Sequence, residues 1–105
     1  MAKHLLVVFT NAAEGKDEEF NRWYNDVHLA DVLKADGFVG AQRFALEPMG
    51  GESPHRYLAL YEIETDDIDA AVKGLAGSAG TMVISDAMTD AMALVASPIT
   101  ERRTG

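Results

Sequence analysis

The chain has 105 residues, 48% of them apolar and 25% charged, a formal net charge of −8 and no cysteine. One hydrophobic core suits that length, and the excess of acid argues against nucleic acid or an anionic membrane as partner, because both select clustered Lys and Arg. The lack of thiols excludes disulfides, thiolate metal sites and Cys nucleophiles.

A small domain without disulfides is expected in the cytoplasm. The only early apolar run, Leu5 to Phe9, is too short for a signal-peptide core or a membrane span. No repeat, linker or low-complexity tract divides the sequence, so a single domain over 1–105 is expected.

Residues 4–10 (HLLVVFT) form a continuous β-branched run, the pattern of a strand buried on both faces. The loop 11–16 is followed by Asp17-Glu18-Glu19, an acidic first turn suited to a helix N-terminus. Phe20, Trp23, Tyr24 and Val27 recur at helical spacing, and the helix is expected over 17–34, stopping at Asp36-Gly37. Residues 38–46 and 55–63 read as two strands joined by the turn-rich segment 47–54, an antiparallel hairpin. Thr65-Asp66-Asp67 signals a helix cap, and Ile68, Ala71, Val72, Leu75, Ala76 and Ala79 mark one face of the second helix. Residues 80–90 are open between a short strand and a packed loop. Residues 91–99 read as the last strand, with Pro98 fitting an edge position. The order is β-α-β-β-α-β, which predicts an α+β, ferredoxin-like fold with two helices on one face of a four-stranded antiparallel sheet.

A sheet with one solvated face alternates apolar and polar residues. Here both faces are apolar: Leu5, Val7 and Phe9 against Leu6 and Val8, and Tyr57, Ala59, Tyr61 and Ile63 against Leu58 and Leu60. Met92, Leu94 and Ala96 oppose Ala93 and Val95 in the same way. Helices cover one face only, so a second copy is expected to cover the other in an isologous homodimer. The alternative cover is the segment 80–90.

On the first helix, counting 100° per residue from Phe20, Asp31 falls at about 20°, inside the apolar stripe, and His28 at about 80°, on its flank. Leu29, Val32 and Leu33 break the stripe, so a bend or an end near Leu29 is the alternative to a straight helix. His28 and Asp31 are an i, i+3 pair and can meet. An acid in a core-facing stripe needs a partner or a wet cavity. One reading makes His28 a general acid or base oriented by Asp31; the other makes it a packing or capping residue near a helix C-terminus. Trp23 and Tyr24 are either core or a platform for substrate. Arg43, between Ala41 and Ala45, wants a carboxylate from a substrate or, the preferred expectation, from an acid of the protein. Asn11, Tyr57 and Tyr61 are further candidates to line a cavity between sheet and helices. His4 and His55 begin strands and read as exposed. His28 with Asp31 gives two possible ligands and no third at a recognisable spacing, so no metal is expected. No glycine loop for phosphate is present.

Asn11, Glu14-Gly15, Glu19-Phe20-Asn21, Trp23-Tyr24, His28, Val32-Leu33, Gly37-Phe38 and Arg43 together resemble the EthD-like branch of the dimeric α/β-barrel superfamily. The resemblance extends over nearly the whole chain and is most specific from Asn11 to Phe44. It implies the ferredoxin-like fold, sheets paired face to face, and His28 beside Trp23-Tyr24 as a candidate site. Family members often carry Pro two residues after this His, where this chain has Ala30, so the helix end is expected to differ.

The function so implied is a cofactor-independent lyase, isomerase or cyclase acting on a small apolar or aromatic, possibly carboxylated metabolite. His28 would move the proton, Asp31 would orient it, and Asn11, Arg43 or a strand tyrosine would hold oxygen functions. The alternatives are haem or cofactor-free oxygen chemistry, as in other members of the superfamily, and a non-catalytic ligand-binding accessory protein of a degradative pathway.

Overall fold

The computed structural model describes residues 2–105. In chain order the elements are β1 (Ala2–Ala12), α1 (Asp17–Trp23), a π-helical turn (Tyr24–His28), α2 (Leu29–Leu33), β2 (Phe38–Ala45), β3 (Tyr57–Thr65), α3 (Ile68–Ser78), a 3-10 turn (Ala79–Thr81) and β4 (Met88–Ala96). The sheet order is β2-β3-β1-β4 and every neighbouring pair is antiparallel. This is the ferredoxin-like arrangement anticipated from the element order.

Boundaries moved where local bonding overrode composition. The third strand begins at Tyr57, not His55, and runs on to Thr65. Arg56 is held just outside it: its N–H donates to Asn11 Oδ1 at 2.9 Å and its carbonyl accepts from Leu46 N at 2.9 Å. The last strand runs over 88–96, not 91–99. It takes Met88 to Asp90 from the segment left open above and ends before Pro98, which has no N–H to continue the ladder. Asp67 caps α3 as anticipated, its Oδ1 accepting from Ala70 N at 3.1 Å.

The register decides which residues face the helices. Leu6, Val8, Thr10 and Ala12 of β1 share a face with Tyr57, Ala59, Tyr61 and Ile63 of β3 and with Ala41 and Arg43 of β2. Phe20, Trp23, Tyr24 and Val32 close on that face from above, with Ala71 of α3 and Ala87. The opposite face carries Leu5, Val7, Phe9, Phe44, Leu58, Leu60, Met92 and Leu94. Among the described residues no helix covers it. The segment after α3 passes on the helix side, where the Trp23 indole donates to the Val83 carbonyl at 2.9 Å, so it is not the cover for the open face.

The helical layer also stops short of β4. Ala91, Ala93 and Val95 point to the helix side yet are exposed, Val95 at 44%. Ala76 of α3 and Ala79 of the 3-10 turn, both on the apolar stripe expected for the second helix, are exposed as well. The result is a thin slab, 42 × 39 × 18 Å, with a radius of gyration of 14.6 Å, above the roughly 13 Å of a compact domain of this length.

Candidate active site

The first helix is the source of the site, and its irregularity is the reason. Residues 23 and 28 are five apart, about 140° around a regular α-helix, and would not meet. The turn from Tyr24 to His28 widens to i→i+5 bonding, with the Leu29 N–H donating to the Tyr24 carbonyl. His28 therefore stacks on Trp23, with ring centroids 4.8 Å apart and an interplanar angle of 25°. It meets the edge of Tyr24 at 4.9 Å and 89°. Regular helical spacing puts His28 on the flank of the apolar stripe; the widened turn brings it onto the aromatic ridge.

His28 is half-buried, and its Nδ1 is sealed from solvent with no hydrogen-bond partner. Burial holds its pKa below the ordinary 6.5, opposed in part by the charge of Asp31. The imidazole is thus neutral near pH 7, the form that accepts a proton. Asp31 makes no hydrogen bond to it among the described residues. Its carboxylate pairs with Lys34 Nζ at 3.5 Å, so it acts on His28 through its field.

Tyr24 and Tyr61 are buried, and the Tyr61 hydroxyl donates to the Tyr24 hydroxyl at 3.1 Å. Desolvation pushes both phenols above their ordinary range. Tyr57 donates to Asp17 Oδ2 at 2.5 Å, and Arg56 Nη1 pairs with the same oxygen at 2.8 Å. These bonds, the Tyr57 bond first, lower the Asp17 pKa and fasten the start of α1 to β3. Phe20, Trp23, Tyr24, Tyr57 and Tyr61 fill the space beneath α1, where a cavity was anticipated.

Arg43 lies over this cluster, its guanidinium carbon 4.4 Å from the centroid of Tyr24, 5.3 Å from Phe20 and 5.5 Å from Tyr57. The anticipated ion pair is not there. Its Nη1 and Nη2 donate to the side-chain oxygens of Asn25 at 2.8 Å and Asn21 at 2.9 Å. Asn11 lies apart from the other candidates. It is on the open face of the sheet, donating to Pro54 O at 2.7 Å and accepting from Arg56 N, which fastens the 47–54 loop. Of the two imidazoles read as exposed, His4 accepts or donates at 2.7 Å to Ser97 Oγ and His55 tilts against Phe9 at 5.7 Å; both are half-buried.

Open space lies around this core. A hollow of about 160 Å³ is lined by Asp31, Lys34, Ser78, Thr81 and Met82. A larger one, about 500 Å³, is at the far end of the open face between Lys3, Leu5, Glu62 and the C-terminal tail. On the helix side β4 is left exposed, and so are Val83 (65%) and Ile84 (51%) of the segment that precedes it. No group of three or more His, Cys, Asp or Glu among the described residues converges on a metal position. Asn25 and Val83 were not singled out from sequence, and Asn21 entered only as part of the run that carries the family resemblance. Asn21 and Asn25 had a signal, being i, i+4 on the helix flank; the Val83 carbonyl had none, since any residue supplies one.

This slab with an aromatic ridge and a histidine on its first helix has the fold of the EthD-like proteins of the dimeric α/β-barrel superfamily. An EthD-like protein from Ralstonia eutropha superposes with a TM-score of 0.58 at 14% identity, covering 97% of this chain and 96% of that one. An EthD family protein from Bacillus halodurans gives 0.52 at 18% identity, covering 94% and 100%. The haem-degrader MhuD from Mycobacterium tuberculosis, solved with two haems in its active site, gives 0.61 at 23% identity, covering 95% and 99%. At these identities the likeness is one of fold. No protein-family model matches the chain and no curated protein sequence does.

Proposed function

We propose that the protein is a cofactor-independent enzyme of the lyase, isomerase or cyclase type, in which His28 moves a proton on a small apolar or aromatic metabolite. The observation that supports this most is the His28 ring itself: half-buried, stacked on Trp23 by a distorted turn, with Nδ1 lacking any partner. A buried polar atom without a partner is costly, and distorted helical turns are frequent at functional sites. Trp23 also ties His28 to the segment before β4, and the exposed helix-side residues Ala91, Ala93 and Val95 of that strand would suit a flat apolar ligand. In this reading the imidazole takes a proton from a carbon acid and the field of Asp31 steadies the imidazolium that forms. The imidazole then returns the proton to another atom of the same ligand. Trp23 and Tyr24 orient the ring more than they touch substrate.

The working unit in this proposal is a homodimer joined through the open sheet face, where eight large apolar side chains lie without a described helix over them. Haem chemistry, suggested by MhuD, fits the residues poorly. His4 is engaged by Ser97 and His55 stacks on the open-face Phe9. His28 lacks the carbonyl or carboxylate partner on its second nitrogen that steadies an iron-ligating imidazole.

Turnover measured across a panel of small carbonyl acids, lactones and phenols tests the proposal, with thermal stabilisation as the first screen. Activity that survives in a folded His28→Ala protein removes His28 from the mechanism. A ligand bound but never converted favours the accessory-protein reading. A strong shifted Soret band on haem addition would restore the haem alternative.

A further inference from the structure

Arg43 is a cation for which the structure provides no anion. The chain has 17 acidic residues, and the described ion pairs take up Lys3, Arg22, Lys34 and Arg56, while Arg43 is in none of them. The guanidinium is half-buried, and two of its five N–H groups are used, both on neutral amide oxygens. Its Nε is sealed and unpartnered. Three aromatic faces around it offset part of the desolvation, but a partly buried charge held only by neutral groups is a weak structural device. Asn21 and Asn25 instead fix the planar group in one orientation without neutralising it. The Asn25 end opens to solvent.

We infer that Arg43 is the receptor for the carboxylate of an anionic small molecule, with Asn21 and Asn25 as its positioning clamp. An arginine fork matches a carboxylate in two parallel hydrogen bonds, where a lysine would offer only a point charge. Arg43 and His28 both rest against the ring of Tyr24, so an anion at Arg43 anchors a ligand on the helix that carries the proton-transfer group. The inference supplies the charge of the ligand in the function proposed above and rests on that reading only for turnover.

Benzoate is the probe, with benzamide as its neutral isostere, at constant ionic strength. Binding is read from thermal shift and from amide chemical-shift changes. Benzoate stabilises the wild-type protein and benzamide does not. Arg43→Gln weakens benzoate binding by about 10-fold or more, the scale of hydrogen bonds to a charged group. Because Arg43→Gln disturbs an aromatic cluster, Asn25→Asp is the second variant. It sets a carboxylate on Nη1 at an exposed position, so the fold is kept and benzoate is excluded. His28→Ala loses turnover by about 10² to 10⁴-fold yet still binds benzoate, which separates failure of the anion site from failure of the proton-transfer reading. Equal response to benzoate and benzamide, or benzoate binding undiminished in Asn25→Asp, overturns the assignment and leaves Arg43 a packing residue.

Discussion

His28 carries its expectation in its protonation. Its pKa is depressed by burial, so the unfolded chain binds this proton more readily than the native protein. Stability from this group is therefore present above the ordinary value near 6.5 and is lost as pH falls below it. The acid limb of kcat/KM should lie below that same value, because the neutral ring is the active base. A stability profile measured from pH 8 to pH 5 should flatten in His28→Gln. For turnover, His28→Ala should fall by about 10² to 10⁴-fold with little change in substrate binding. Asp31→Asn should give a smaller loss and a further downward shift of the acid limb, since the carboxylate raises the His28 pKa; an unmoved limb would remove Asp31 from the proposal. His28 was legible because an imidazole at helical spacing beside aromatic residues is visible in one dimension. The surroundings of Arg43 were not, because a nearby acid elsewhere in an acidic chain was the cheaper guess. The two amides that hold it lie 18 and 22 residues away.

Among the elements, the π-helical turn is the feature that sequence patterning marked only in part: a bend near Leu29 was legible, the i→i+5 bonding that moves His28 was not. Residues 17–34 contain neither Pro nor Gly, the usual marks of a helix irregularity, so the break in the apolar stripe at Leu29, Val32 and Leu33 was its only sign, and the widened turn ends just before Leu29. The strands were easier, because their β-branched runs and the two-faced apolar pattern coincide with the observed register. Glycine gives a test at this scale. Gly74 is in the middle of α3, without positive φ, and a Cβ there meets nothing within 4 Å. Gly74→Ala should raise stability by about 0.5–1 kcal/mol. Gly37 has φ +89° and its Cβ would meet the Glu64 carbonyl at 3.3 Å, while its own carbonyl accepts from Glu64 N at 2.8 Å. Gly37→Ala should cost about 1–2 kcal/mol. Urea denaturation of the two variants side by side checks both signs.

At the scale of the whole molecule, the slab shape and the uncovered sheet belong together. A chain this thin has one finished face and one unfinished face. Sequence could establish that both faces are apolar but not which one the helices take; the register assigns Leu6 and Val8 to the helices and Leu5 and Val7 to the open side. The dimer proposal therefore predicts an asymmetry between neighbours. Val7→Asp places an unpaired charge in the proposed interface and should yield monomer or insoluble protein. Lys16→Asp, on an exposed loop, should leave the oligomeric state alone. Light scattering at micromolar concentration reads both, and a monomeric wild-type protein sinks the proposal. If the dimer holds, its melting temperature should climb with protein concentration, as expected when folding and association are linked.

Trp23 is the chain's single tryptophan, and it is stacked on the one imidazole proposed to do the work. An imidazolium quenches indole emission by accepting an electron from the excited ring, while neutral imidazole does so far less. The protein thus contains its own optical indicator. Emission should dim as acid charges His28, with a midpoint below 6.5 that needs no substrate and no assay. A ligand that draws the His28 proton equilibrium either way would move that midpoint, so a pH series in a fluorimeter can search for the substrate before its chemistry is known.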